Sequence, residues 1–156
     1  MKLSTKARYG LRALVELATR NKGRPVLIRD IASEQDIPLA YLEQIIGPLV
    51  NAGIVRSIKG PKGGILLNRN PADVKLSELI QLLEGSFALV DCVDNPEICD
   101  RVEFCVTRDV WVKLKDALEG VLGSVTLQEL VDKQKEKSLA AVLSDHGIEE
   151  EDDDGE

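Results

Sequence analysis

Cys92, Cys99 and Cys105 are the only cysteines of the chain, and they fall within fourteen residues in the spacing C-x6-C-x5-C. A grouping that tight is not scatter. An odd count with no secretory signal argues against a disulfide scaffold. Thiolates gathered on a loop suit a zinc ion or an iron–sulfur cluster. Zinc prefers four ligands and C-x2-C pairs, which this segment lacks. Left unligated, the three would be ordinary reduced thiols, and the spacing alone keeps these readings open.

A second stretch with chemical potential is Lys59-Gly60-Pro61-Lys62-Gly63-Gly64. Its glycines let a backbone lie close to a phosphate chain, and its lysines supply the charge. It resembles a nucleotide-binding phosphate loop only faintly, because it lacks the Gly-Lys-Ser/Thr ending and opens no helix. Enzymatic chemistry finds no support. The one histidine, His146, lies close to the acidic end, and the chain offers neither a nucleophile–base pairing nor a cofactor loop.

The elements that must position these residues follow from periodicity. Tyr9, Leu11, Leu14, Val15, Leu17 and Ala18 predict a helix over about 5–21, stopped by Gly23-Arg24-Pro25. A short helix is expected over 28–35. Another opens at Pro38, where a missing N–H does no harm, and turns Leu42, Ile45, Ile46 and Leu49 inward. Gly47-Pro48 is an awkward pair inside it that is expected to bend it. IVRSIKG and GILLN flank the turn PKGG and read as a hairpin. Residues 76–84 form a further amphipathic helix. From Val106 a long helix begins, in which Trp111, Leu114, Leu118, Val121 and Val125 alternate spacings of three and four, the seam that another helix packs against. Thr126-Leu-Gln-Glu129 is a capping box for one more helix.

The fold class is therefore mostly α with a small β-hairpin. The expected division is a DNA-binding winged helix-turn-helix over 1–85, a cysteine-bearing loop over 86–105, dimerisation helices over 106–143 and an acidic disordered tail over 144–156. Charge follows this division. Residues 1–75 hold 13 basic and 6 acidic side chains, a net of +7, whereas 76–156 hold 7 basic and 21 acidic, a net of −14. A basic N-terminal part on an acidic chain points to a polyanion-binding module with something attached. The first residues carry Lys2, Lys6 and Arg8 ahead of an apolar run, but Arg12, Glu16 and Arg20 interrupt it at helical period. We read a cytoplasmic amphipathic helix rather than a signal peptide, and no membrane span.

Two short helices joined by a three- or four-residue turn make a helix-turn-helix. Ala32 is the small residue that permits close crossing, Ile37 and Leu42 pin the turn, and Asp36 takes the position where a left-handed backbone is needed. In a major groove, the first turns of the second helix would bring Leu39, Ala40, Tyr41, Glu43 and Gln44 nearest the bases. Gln44 can pair with adenine and Glu43 can accept from a cytosine amino group. Lys59 and Lys62 would sit on phosphates or reach a minor groove, and Lys2, Lys6, Arg8 and Arg56 are further phosphate candidates. The partner is then double-stranded DNA, although the same three-helix core also serves as a protein-interaction module.

MKLSTKARYGLRALVELA, LAYLEQIIGPLVNAGIVRSIKGPKGG, and CVTRDVW followed by SVTLQEL resemble, in this order over about residues 1–135, the Rrf2 family of bacterial transcription regulators. The resemblance implies a homodimer held by the long helix, with a winged helix at each end reading a partly palindromic operator. In its IscR-like and NsrR-like branches it implies an iron–sulfur cluster on three cysteines, here Cys92, Cys99 and Cys105, sensing cluster supply, iron, oxygen or nitric oxide. The fourth ligand is not carried over. IscR-like chains place a histidine three residues after the last cysteine, where this chain has Arg108. NsrR-like chains can take a carboxylate from the first helix, where this chain has Arg8. Asp91, Glu103, Asp109, a small thiol or water remain as candidates. The CymR-like branch implies a cluster-free regulator controlled by thiol oxidation or a partner protein.

Overall fold

The computed structural model describes residues 2–20 and 22–145. Of the disordered tail expected over 144–156, Ser144 and Asp145 end the last helix instead, and the rest, His146 included, lies outside the described residues.

Helix α1 (Thr5–Arg20) turns Ala7, Gly10, Ala13, Leu14 and Leu17 inward, a stripe at spacings of three and four. Helix α2 (Ile28–Glu34) buries Ile31 and Ala32, and α3 (Leu39–Asn51) buries Leu42, Ile45, Ile46 and Leu49. Pro38 caps α3 rather than opening it. The helix runs on through Gly47 and Pro48 without interruption. A proline in that place leaves only the Gln44 carbonyl without its helical donor, and Gln44 is exposed to water that can replace it.

Strands β1 (Val55–Ile58) and β2 (Gly64–Leu67) pair antiparallel with Val55 opposite Leu67 and Ile58 opposite Gly64. The hairpin thereby turns Val55, Ile65 and Leu67 into the core and leaves Arg56 and Ser57 outside. Helix α4 (Leu76–Glu84) adds Leu79, Ile80 and Leu83. Residues 86–105, where no period was legible, contain the single-turn helix α5 (Asp91–Asp94) and 3-10 turns at Pro96–Ile98 and Val102–Phe104.

Helices α6 (Val106–Ser124) and α7 (Leu127–Asp145) complete the chain. The Thr126 hydroxyl accepts the Glu129 N–H at 3.2 Å, which caps α7 as its sequence anticipates. The link between the two helices is tied back across the start of α4, where the Leu76 N–H donates to Val125 O and the Leu127 N–H to Val74 O, both at 2.9 Å. Leu127 and Val131 are accordingly buried, and Leu127 joins the same core as α1, α3 and α4. That core is aliphatic, with Phe87 its one buried aromatic, and among the described residues it contains no buried polar side chain. Its energy comes from apolar area removed from water rather than from internal polar networks.

Candidate nucleic-acid interface and thiol segment

The two reading elements are built by short-range chemistry. Asp36 adopts φ +49°, the left-handed conformation the turn requires, and the following Ile37 N–H donates to Ala32 O at 2.9 Å. Ile37 and Leu42 are buried, so α3 is clamped against α2 and α1 by its inner face. Its outer face is then free. Leu39, Ala40, Glu43 and Gln44 are exposed side by side, with Tyr41 half-buried where its ring meets Tyr9 edge-on at 6.0 Å. Tyr41 is therefore partly a packing residue.

On the hairpin, Arg56, Lys59 and Lys62 are all exposed. The wing is fixed in its place by Val26. The Val26 N–H donates to Ile65 O at 2.9 Å and the Ile65 N–H to Val26 O at 2.8 Å, so the segment before α2 forms a one-residue third edge of the sheet. The approach is close enough that a Cβ at Gly64 would lie 2.5 Å from the Val26 carbonyl oxygen, and one at Gly63 would lie 2.3 Å from the Ile58 carbonyl oxygen. Both glycines are needed for packing, not only for access to phosphate.

At the N-terminus Lys2 and Arg8 are exposed and Lys6 is half-buried. The Ser4 N–H donates to Glu84 at 2.6 Å, which ties the chain start to the end of α4. Arg24, exposed beside the wing tip, belongs to this basic surface too but escaped the sequence reading. Its only sequence signal was a basic residue before a proline.

The thiol segment lies against α6. Arg108 Nε donates to Cys92 O at 3.1 Å, and Lys115 Nζ bonds Asp94 at 2.7 Å. That ion pair holds the Asp94 carboxyl below, and the Lys115 ammonium above, their ordinary ranges. Cys105 stands at the N-terminus of α6, and its thiol is shifted down chiefly by the Thr107 hydroxyl at 3.2 Å and next by the Arg108 backbone N–H. All three thiols are free and partly exposed. Their chemistry fits a thiolate-bound group, but their arrangement does not gather them: among the described residues no three Cys, His, Asp or Glu side chains stand together as a metal-binding group. Asp91, Glu103 and Asp109 are exposed and none completes such a set.

The seam expected on the long helix is divided. Leu114 and Val121 are exposed, whereas Trp111, Leu118 and Val125 are half-buried. The outward apolar line is Val110, Leu114, Ala117 and Val121, which keeps Leu114 and Val121 of the seam read from spacing and has Val110 and Ala117 in place of Trp111 and Leu118. The period was legible; the direction in which it faces was not.

Comparison with known proteins gives a consistent result. Residues 3–133 match the Rrf2 family model, described as an iron-dependent transcriptional regulator. The HTH-type transcriptional regulator CymR of Bacillus subtilis is 37% identical over 130 residues, covering 83% of this chain and 89% of that protein. Its solved structure, described as the global cysteine regulator, matches with a TM-score of 0.70 at 34% identity, over 85% of this chain and 98% of the other. The solved structure of T. potens IscR matches with a TM-score of 0.72 at 37% identity, over 88% and 90%.

Proposed function

As the chain belongs to the Rrf2 family and is a DNA-binding transcription regulator, not an enzyme, we propose that it works in the cytoplasm as a homodimer on a partly palindromic operator and is switched through Cys92, Cys99 and Cys105. The observation that carries the reading is the pairing of two exposed basic or polar surfaces on rigid supports: the outer face of α3 and the wing tip. Leu39, Ala40, Tyr41, Glu43 and Gln44 face the bases, with Gln44 and Glu43 able to discriminate by hydrogen bonding. Arg56, Lys59, Lys62, Lys2 and Lys6 neutralise phosphates and set affinity without reading sequence.

The thiol segment is the sensing element. The three thiols are its donor set for an iron–sulfur cluster, a group that when bound would supply oxidant- and nitric-oxide-sensitive bonds. What this chain contributes is the attachment of the segment to α6 through Arg108 and Lys115. Ordering residues 92–105 would stiffen the start of α6 and so bias the spacing of the two reading heads, a bistable element biased by a ligand. The second reading, a cluster-free regulator answering to thiol oxidation or a partner protein, is favoured by the ungathered arrangement of the three thiols.

Anaerobic purification followed by visible absorption, iron and sulfide analysis and promoter binding tests both. A brown protein with stoichiometric iron and sulfide supports the cluster. A colourless protein that binds its own promoter assigns the signal to the thiols or a partner. A protein that binds no promoter fragment in any redox state overturns the proposed switch.

A further inference from the structure

A cleft of about 620 Å3 lies between the segment preceding α2 and the wing tip, lined by Arg24, Pro25, Leu27, Pro61, Lys62 and Gly63. Its chemistry is two-sided. Arg24 and Lys62 supply the cations, and Pro25, Leu27 and Pro61 supply an apolar floor. Both charged residues are exposed, and among the described residues neither is joined to a carboxylate. A guanidinium and an ammonium flanking apolar ring surfaces suit a repeating unit of phosphate and sugar: the phosphate bridges the cations and the deoxyribose lies on the prolines.

The cleft is built rather than incidental. Two backbone hydrogen bonds between Val26 and Ile65, at 2.8 and 2.9 Å, fasten the Arg24 side of the cleft to the strand that carries the Lys62 side. Pro25 fixes its own φ and confines the preceding Arg24 to extended conformations, which projects Arg24 as an arm instead of letting it coil back onto α1. Gly64 lets the two backbones approach, since a Cβ there would meet the Val26 carbonyl carbon at 2.8 Å as well as its oxygen. The two cations therefore move with the wing as one body, and the ordering cost of aligning them on a backbone is largely met by folding.

We propose that Arg24 is a further DNA-backbone contact beside the wing, which with Lys62 grips one sugar–phosphate unit of the duplex. The inference rests on the wing being a DNA-contacting element, as argued above. Because a phosphate contact is blind to sequence, Arg24 contributes equally to operator and non-operator binding and adds one counterion-releasing charge per protomer.

The test uses the full chain and a short random-sequence duplex, so that no operator need be known. Binding is measured across salt concentrations for the wild type, Arg24→Ala, Arg24→Lys and Lys59→Ala. The expected result is a slope of log K against log salt shallower by about 0.9 per protomer engaged for Arg24→Ala, with the slope kept by Arg24→Lys. Thermal melting of Arg24→Ala should match the wild type, because the side chain has no ion pair to lose. An unchanged slope in Arg24→Ala alone, with Lys59→Ala shallower, overturns the arm and leaves the wing. Unchanged slopes in both variants overturn the wing reading and the arm with it. A loss in Arg24→Ala that lysine does not restore makes the residue a structural one and overturns the charge role.

Discussion

Lys59 and Lys62 stand exposed on a turn whose Gly63 and Gly64 are committed to backbone packing, so the electrostatic part of the proposed wing binding falls to the lysines. Lys59→Ala is expected to weaken binding to every DNA sequence and to shallow the salt dependence by about 0.9 per protomer. A footprint and sequence preference that stay the same, with only the slope altered, would separate it from a base-reading residue. Gly64 makes the opposite kind of prediction. Gly64→Val places a branched side chain where even a Cβ sits 2.5 Å from the Val26 carbonyl oxygen. It should cost about 1–3 kcal/mol in urea denaturation and detach the third edge of the wing. If Gly64→Val unfolds at the wild-type urea midpoint, the close approach is not a constraint. At this scale the sequence was most legible where one residue type has one physical use. Asp36 was readable as the left-handed turn residue, and Ala32, Ile37 and Leu42 as its clamps, because local backbone chemistry decides them. Gly63 and Gly64 were read as access to phosphate; the packing role of Gly63 depends on the Ile58 carbonyl across the turn, and that of Gly64 on Val26, distant in sequence and joined by a pairing that no periodicity announces.

Helices declare themselves by period, and α1, α2, α3, α4 and α6 fall within a residue or two of their expected limits. What period leaves open is which side of a stripe is covered by its own chain. On α6 the half-buried side carries Trp111, Leu118 and Leu122, and the outward side carries Val110, Leu114, Ala117 and Val121. A helix with no fully buried residue and an apolar line facing water needs a partner surface. The proposed dimer is then expected along this outward line. Val121→Glu should convert the dimer into a monomer in sedimentation velocity, because each copy would bury an unpaired charge at about 3–5 kcal/mol, and two-fold symmetry applies it twice. Trp111→Ala should instead lower folding stability while the dimer mass is kept. A dimer lost in Trp111→Ala would restore the seam read from spacing, which also runs through Leu114 and Val121, and a dimer kept in Val121→Glu would place the interface on neither line. Val26 is the counterpart failure on the β side. One residue pairing with β2 has no alternation to read, so the wing was expected as a hairpin and is a hairpin with a third edge.

Across the whole molecule, the thiol segment and the reading surface are joined by packing rather than by proximity in sequence. Arg108 and Lys115 attach residues 92–94 to α6. The end of α6 is hydrogen-bonded to the start of α4, and α7 returns to bury Leu127 and Val131, with Leu127 in the core that also holds the inner faces of α1 and α3. A change in the order of residues 92–105 thus has a continuous packed route to α3. None of this route was visible in the sequence, which showed three cysteines and a helix after them but not the ion pair that ties them together. The three thiols are not gathered in this conformation, so a single group that engages all three must draw the segment together next to the start of α6. That requirement gives the last prediction. Cys92→Ala should change operator affinity between reducing and oxidising conditions by a smaller factor than the wild type. Lys115→Ala, which leaves every thiol in place but removes one of the two attachments of the segment to α6, should blunt the same response. The pair of variants locates the switch. If Cys92→Ala leaves affinity unchanged under every redox condition, the thiols do not regulate DNA binding. If Cys92→Ala abolishes the response while Lys115→Ala keeps it whole, the signal reaches the reading heads by some way other than the Lys115–Asp94 ion pair.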